Sequence, residues 1–190
     1  MYESKNFETL LGAEGFSETL LRSHFTLYEG YVSNVNKISE FLKTAEPGTP
    51  PYAELKRRFG WEWSGMRLHE LYFSNMKKGG TPVDTKSSLV KKIIEDFGQW
   101  EAWEKDFKAT GAMRGIGWAV LVRDPDTGRL LNVWVNEHDG GHCVGATPLL
   151  VMDVFEHAFM LDYGIKRADY ISAFWNVIDW DIVSARFAGK

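Results

Sequence analysis

One cysteine, Cys143, stands among 190 residues, so the chain can form no internal disulfide, and this usage fits a reducing compartment. The same scarcity excludes a thiolate metal cluster. No stretch approaches the roughly 18 uninterrupted apolar residues needed to cross a bilayer. The opening residues, MYESKNFETLLGAEGF, lack the basic and apolar regions of a secretory leader, and a cytoplasmic protein is expected. Positive charge is not in excess either: 22 Lys and Arg against 26 Asp and Glu give a formal net charge of -4 and a pI near 5.8. Without a global basic field, neither nucleic acid nor an anionic membrane is an expected partner. No repeat or low-complexity block is present, so function must reside in a site rather than in an array.

What is there is a well-filled core: 44% of residues are hydrophobic and 14% aromatic, enough for one substantial core or two small lobes. Over 17–44 the apolar residues Leu20, Leu21, Leu27, Tyr31, Val35, Ile38, Phe41 and Leu42 recur at helical spacing behind Ser17, a natural N-cap. PGTPP at 47–51 ends that helix, and a second helical pattern over 52–76 breaks at KKGGTP, which predicts an antiparallel hairpin. Shorter helices are expected over 87–97, stopped by Gly98, and over 100–110. The pattern then changes. WAVLVRDPDTGRLLNVWVN reads as two strands about a turn, PLLVMD at 148–153 as a third strand, and ADYISAFWNVIDWDIVSARF as one closing helix with Ile171, Phe174, Val177, Ile178 and Ile182 on its apolar face. The fold class is α+β with two lobes. An antiparallel helical hairpin spans 1–82, and over 83–190 a small antiparallel sheet, about three strands, is flanked by helices.

The stretch DVFEHAFMLDYG at 153–164 places Asp153 and His157 four residues apart, beside Glu156, in an apolar and aromatic run. Burying ionisable groups there costs on the order of several kcal/mol unless something pairs or binds them. The other histidines are His24, His69, His138 and His142. His24 and His69 are read as midway along the two long helices, where an antiparallel hairpin brings them together, and Asp153 and His157 follow the last strand. Three imidazoles and a carboxylate make a sulfur-free set suited to iron, manganese or zinc. Taken singly, each histidine is more often a packed or surface residue than a ligand. HELYF at 69–73 lacks the second histidine of a zinc-protease helix, and GIG at 115–117 is too short for a nucleotide loop.

DVFEHAFMLDY closely resembles the DxWEHAYYLDY signature of the iron/manganese superoxide dismutases. RGIGWAVLV at 114–122 is similar to that family's GSGWxWL segment, ATPLLVMD at 146–153 to the strand before its ligand aspartate, and AFWNVIDWDIV at 173–183 to its closing FWxxVNW helix. HELYF resembles NHxFYW, and YVSNVN at 31–36 resembles YVxxLN. The likeness runs over about residues 15–187, in five separate segments besides the signature.

The resemblance implies a homodimer, or a tetramer built from it, that acts on superoxide. Each subunit would hold one Mn or Fe ion through His24, His69, Asp153 and His157, with a solvent molecule as fifth ligand. It puts Tyr31 at the gateway tyrosine, Trp118 at the pocket tryptophan, and Glu156 in a hydrogen bond to the ligand histidine of the opposite subunit. His138 falls where manganese-type members carry the glutamine that holds the solvent ligand, while Gly65 occupies the corresponding iron-type glutamine position and offers no side chain. His142 has no counterpart and reads as a surface loop residue. Phe155, Phe73 and Met160 replace family aromatics, and Tyr28 stands where a second histidine is usual, opposite the position now held by Met160.

Two other readings use the same residues: a dismutase-like subunit without metal, and a mononuclear iron protein with different oxygen chemistry. Retention of four candidate ligands opposes the first, and an oxygenase triad with three open positions opposes the second.

The first ligand poses a question of register, because the family has eight residues from ligand to gateway tyrosine and this chain has seven from His24 to Tyr31. Ungapped matching would put Ser23 on the metal. On a regular α-helix seven residues turn about 700°, leaving His24 and Tyr31 within about 20° of one face, whereas eight leave them about 80° apart. An uninterrupted α-helix with His24 as ligand is therefore expected, without the π-type bulge that an eight-residue spacing needs.

Overall fold

Ser17 opens the first helix as anticipated, its side chain accepting a hydrogen bond from the Leu20 amide at 3.0 Å, which satisfies one of the free N–H groups of the first turn. In this computed structural model, which describes residues 1–189, α1 covers Glu18–Thr44 without a π or 3-10 interruption. Pro50 and Pro51 sit in the first turn of α2, Pro50–Ser74, where a missing N–H costs nothing. The buried faces of the two helices carry Leu20, Leu21, His24, Tyr28, Tyr31, Val32 and Val35 against Met66, Leu68, His69, Tyr72 and Phe73. Their antiparallel pairing corrects one expectation. His24 lies in the second turn of α1 and His69 near the end of α2, not midway, and it is the meeting of a start with an end that brings them together.

Two shorter helices, α3 (Ser88–Phe97) and α4 (Trp100–Gly111), lead into a three-stranded antiparallel sheet of β1 (Gly117–Arg123), β2 (Leu130–Asn136) and β3 (Thr147–Asp153). The strand order is β2-β1-β3, so β1 is central, and its residues from Gly117 to Val122 are all buried. Register sets Trp118 between Val135 on one side and Asp153 on the other. A one-turn helix α5 (Met160–Tyr163), α6 (Arg167–Asn176) and α7 (Trp180–Phe187) complete the chain. Among the described residues no helix is long and apolar enough to cross a membrane.

The expected single closing helix is thus two helices. Residues 177–179 leave the helical path to pair with the end of the hairpin: Lys77 N donates to Val177 O at 2.7 Å, Thr81 N to Ile178 O at 3.0 Å and Asp179 N to Asn75 O at 2.9 Å. Gly80 permits this approach, because a Cβ there would lie 2.5 Å from the Asn176 carbonyl oxygen. The interruption resets the helical phase, so Val183 is buried and Ile182 is 37% exposed.

Asn75 fastens the hairpin to the sheet. Its buried amide donates to Val151 O at 3.2 Å and Tyr72 O at 2.8 Å, and accepts from Val151 N at 2.8 Å. Asn75→Ala would strand buried donors and acceptors on both elements. We expect urea denaturation to show a loss of about 2–3 kcal/mol, and a loss under about 0.5 kcal/mol, the range of ordinary surface changes, would contradict this account.

Candidate metal centre

Asp153 ends β3, and the chain turns sharply after it, with the Phe155 amide donating to Asp153 Oδ1 at 2.9 Å. A single 3-10 turn, Glu156–Ala158, then returns His157 toward the carboxylate. Oδ2 faces three imidazoles, with His157 Nε2 at 3.1 Å, His24 Nε2 at 3.2 Å and His69 Nε2 at 3.6 Å. One possible ligand atom from each of the four residues lies within 4.8 Å of all the others. His24, His69 and Asp153 are buried, and His157 is partly open.

Protonation prepares this cluster for a cation. Burial opposes ionisation of Asp153, but the charge and hydrogen bonds of His157 and His24 outweigh it and hold the carboxyl well below the usual carboxylate range. Burial lowers the His24 imidazole against the pull of Asp153. His69 is driven down further, by burial and then by the neighbouring His24. The Gly65 carbonyl accepts from His69 Nδ1 at 2.6 Å, which fixes the tautomer and leaves a lone pair on Nε2. That atom is buried and has no hydrogen-bond partner. Such an orphan costs about 1–3 kcal/mol, and an ion at the point of convergence removes the deficit. Three nitrogens and one oxygen, without sulfur, fit Mn or Fe.

Behind His69 lies a second polar group. Trp118 Nε1 donates to His138 Nδ1 at 3.2 Å, so the proton of the neutral imidazole sits on Nε2 and is donated to the Tyr31 hydroxyl oxygen 2.7 Å away. Burial lowers His138 to about 4, and the Tyr31 hydroxyl is raised by burial and then by Asp153 and Glu62. A Cβ on Gly65 would lie 2.8 Å from the Tyr31 ring and 3.1 Å from His138 Cδ2. The bare backbone at 65 is what lets Tyr31 and His138 meet.

The replaced aromatics close the walls. Phe155 stacks on His157 and His138 with centroids 5.0 and 4.8 Å apart, and Phe73 meets His24 edge-on at 4.8 Å. A cavity of about 430 Å³ reaches His24 and His157 between Leu27, Glu156, Met160 and Leu161.

His24, His69, Asp153 and His157 converge, and Tyr31, Trp118 and His138 form the adjoining group. His24 projects from uninterrupted α-helix into the cluster, while Ser23 is exposed. Glu156 departs from the expectation of a buried trio, since its side chain is exposed, at the wall of that cavity. Tyr28 does not face the cavity. Its hydroxyl accepts from Lys5 N at 3.0 Å and donates to Glu70 Oε1 at 3.1 Å, pinning the N-terminal segment to α2, and burial pushes it up to about 12. His142 is exposed and reaches the His138 carbonyl at 2.8 Å. Sequence reasoning missed Trp61, whose ring touches both Tyr31 and His138. Its position eight residues before His69 is two turns up the same helix, the one signal that could have found it.

Comparison with known proteins points the same way. Residues 85–186 match the model of the iron/manganese superoxide dismutases, C-terminal domain. The chain is 38% identical over 174 residues to superoxide dismutase [Mn] 2 of Haloferax volcanii, covering 90% of this chain and 85% of that one. It is 38% identical over 183 residues to superoxide dismutase [Fe] of Aquifex pyrophilus, covering 92% and 85%. Against superoxide dismutase [Fe] of Cupriavidus metallidurans it is 37% identical over 181 residues, covering 92% and 89%.

The depressed His138 gives a pH prediction. Unfolded, an imidazole takes a proton near 6.5, while the folded chain resists until about 4. The stability from keeping it neutral is full above the unfolded value and is lost as pH falls through that window. His138→Gln removes this titration while an amide can still serve Trp118 and Tyr31. Between pH 7.5 and 5, urea denaturation of the metal-free parent should show about 2 kcal/mol more loss than His138→Gln, and equal losses would refute the assignment.

Proposed function

The chain belongs to the iron/manganese superoxide dismutase family, and on that premise we propose that it disproportionates superoxide at one Mn or Fe ion held by His24, His69, Asp153 and His157. Two superoxide ions and two protons give dioxygen and hydrogen peroxide. The observation that carries the reading is the orphaned Nε2 of His69, aimed at the same point as His24, His157 and Asp153. A bound Mn or Fe supplies the reversible one-electron exchange that no side chain of the site provides.

The protein's own residues do the remaining work. Burial holds His24 and His69 toward the neutral form and their surroundings hold Asp153 ionised, so these groups are disposed to offer ligand atoms at neutral pH. His138, fixed by Trp118, donates to Tyr31, which leaves the Tyr31 hydroxyl hydrogen free to be donated onward. Phe73, Phe155 and Trp118 restrict access to something as small as superoxide. The ligands come from both lobes, 1–82 and 83–190, so an ion there joins hairpin to sheet. A metal-free structural role does not account for a buried lone pair left open.

The subunits pair as a homodimer through the face that carries Glu156. Met160, Leu161 and Ile165 are exposed around it at 49%, 62% and 91%, and Glu156 is free to hydrogen-bond the ligand imidazole of a second copy. The free thiol of Cys143 is in keeping with the cytoplasm.

Metal analysis joined to a superoxide-consumption assay tests the reading. Asp153→Ala and His157→Ala should fold, hold little Fe or Mn and consume no superoxide, and full occupancy in both would sink the assignment. Glu156→Ala should loosen the dimer and lower activity by about 10–100-fold. An unchanged sedimentation coefficient with full activity would remove its bridging role.

A further inference from the structure

Glu137 is the one non-glycine residue with positive φ, at 50°, among the described residues. L-residues rarely adopt this conformation, and at functional positions it persists when surrounding contacts enforce it. Here the contacts are on view. Asn136 N donates to Gly140 O at 2.8 Å and Gly140 N to Asn136 O at 3.2 Å, closing a tight loop over 136–140. Within it, the Glu137 carboxylate accepts from Trp61 Nε1 at 3.1 Å. The next residue, His138, is turned inward and is fully buried.

Trp61 is more than an anchor for that carboxylate. Its ring meets the His138 ring at 4.4 Å and the Tyr31 ring at 5.5 Å between centroids. The Arg58 guanidinium lies 4.2 Å from the same ring and is itself held by buried Glu62 at 2.8 Å. A strained backbone at 137, a hydrogen bond across to α2 and an indole against the imidazole therefore converge on one side chain.

We propose that Glu137 and Trp61 form a latch that sets the orientation of His138 and, through it, the hydrogen bond to Tyr31. Both are positioning residues, since neither reaches the four ligand atoms. Gly65 leaves open the space that Tyr31 and His138 fill, so position 65 itself holds nothing in place: His138 is delivered from a loop, and Trp61, one turn earlier on the same helix, meets its ring. The consequence for the reaction rests on the reading of His138 given above, whereas the geometry of the latch does not.

Four variants of the metal-loaded protein separate the two: Glu137→Ala, Glu137→Gln, Trp61→Phe and His138→Ala. Crystal structures of Glu137→Ala and Trp61→Phe should show His138 turned or withdrawn, with its contact to Tyr31 lengthened beyond hydrogen-bonding reach. The pH profile of superoxide consumption and the reduction potential of the metal should move in the same direction as in His138→Ala, with kcat lower by about tenfold or more. Glu137→Gln, which keeps an acceptor for Trp61, should restore both. Combining Glu137→Ala with Trp61→Phe should add little to either alone, because they break one contact.

An intact His138 to Tyr31 bond in both Glu137→Ala and Trp61→Phe would overturn the latch whatever the kinetics. So would an unchanged pH profile and potential in these two when His138→Ala shifts both. If His138→Ala itself shifts neither, the role given to His138 falls, and displacement of the imidazole in the two crystal structures still decides the latch.

Discussion

A fully buried carboxylate facing three imidazoles is the constraint around which this protein is organised. Such a group is tolerable only when its neighbours compensate the loss of water, and the compensation comes from distant parts of the chain. His24 begins the hairpin, His69 ends it, and Asp153 and His157 bracket the turn after the last strand. Bringing them together requires an antiparallel hairpin whose beginning meets its end, and a sheet that presents the end of β3 to that junction. Asn75, linking α2 to Val151, and the detour at 177–179 hold the two parts in place.

The layer behind the ligands shows an exchange of volume for position. At 65 the helix gives up its side chain, and the space is filled from opposite directions by Tyr31 and His138. Those two then bond to each other, with Trp118 completing the chain. Similarity at 37–38% extends to relatives named for Mn and for Fe, so overall identity does not separate the two metals.

Much of this was legible in the sequence because it depends on local periodicity. Seven residues between His24 and Tyr31 return to one face of a regular helix, and that arithmetic alone selected His24 over Ser23. The three strands announced themselves through β-branched runs and a DPDTG turn. What stayed hidden depends on contacts between remote residues. ADYISAFWNVIDWDIVSARF reads as one helix, and only the backbone groups of residues 75–81 divert 177–179. The buried role of Tyr28 needed Lys5 and Glu70, from before and after it in the chain. Glu156 was expected among buried groups because its neighbours are apolar, yet it is exposed while His157 beside it is only partly so. Nothing in EHDGG signalled a left-handed glutamate, since side chains that enforce such a backbone come from elsewhere.

The depth of the ligand cluster also ties a bound ion to the fold. His24, His69 and Asp153 have almost no contact with solvent, and His157 is the one ligand with a partly open flank. An ion at this site would touch groups on both halves of the molecule, so its binding and the docking of hairpin on sheet are linked.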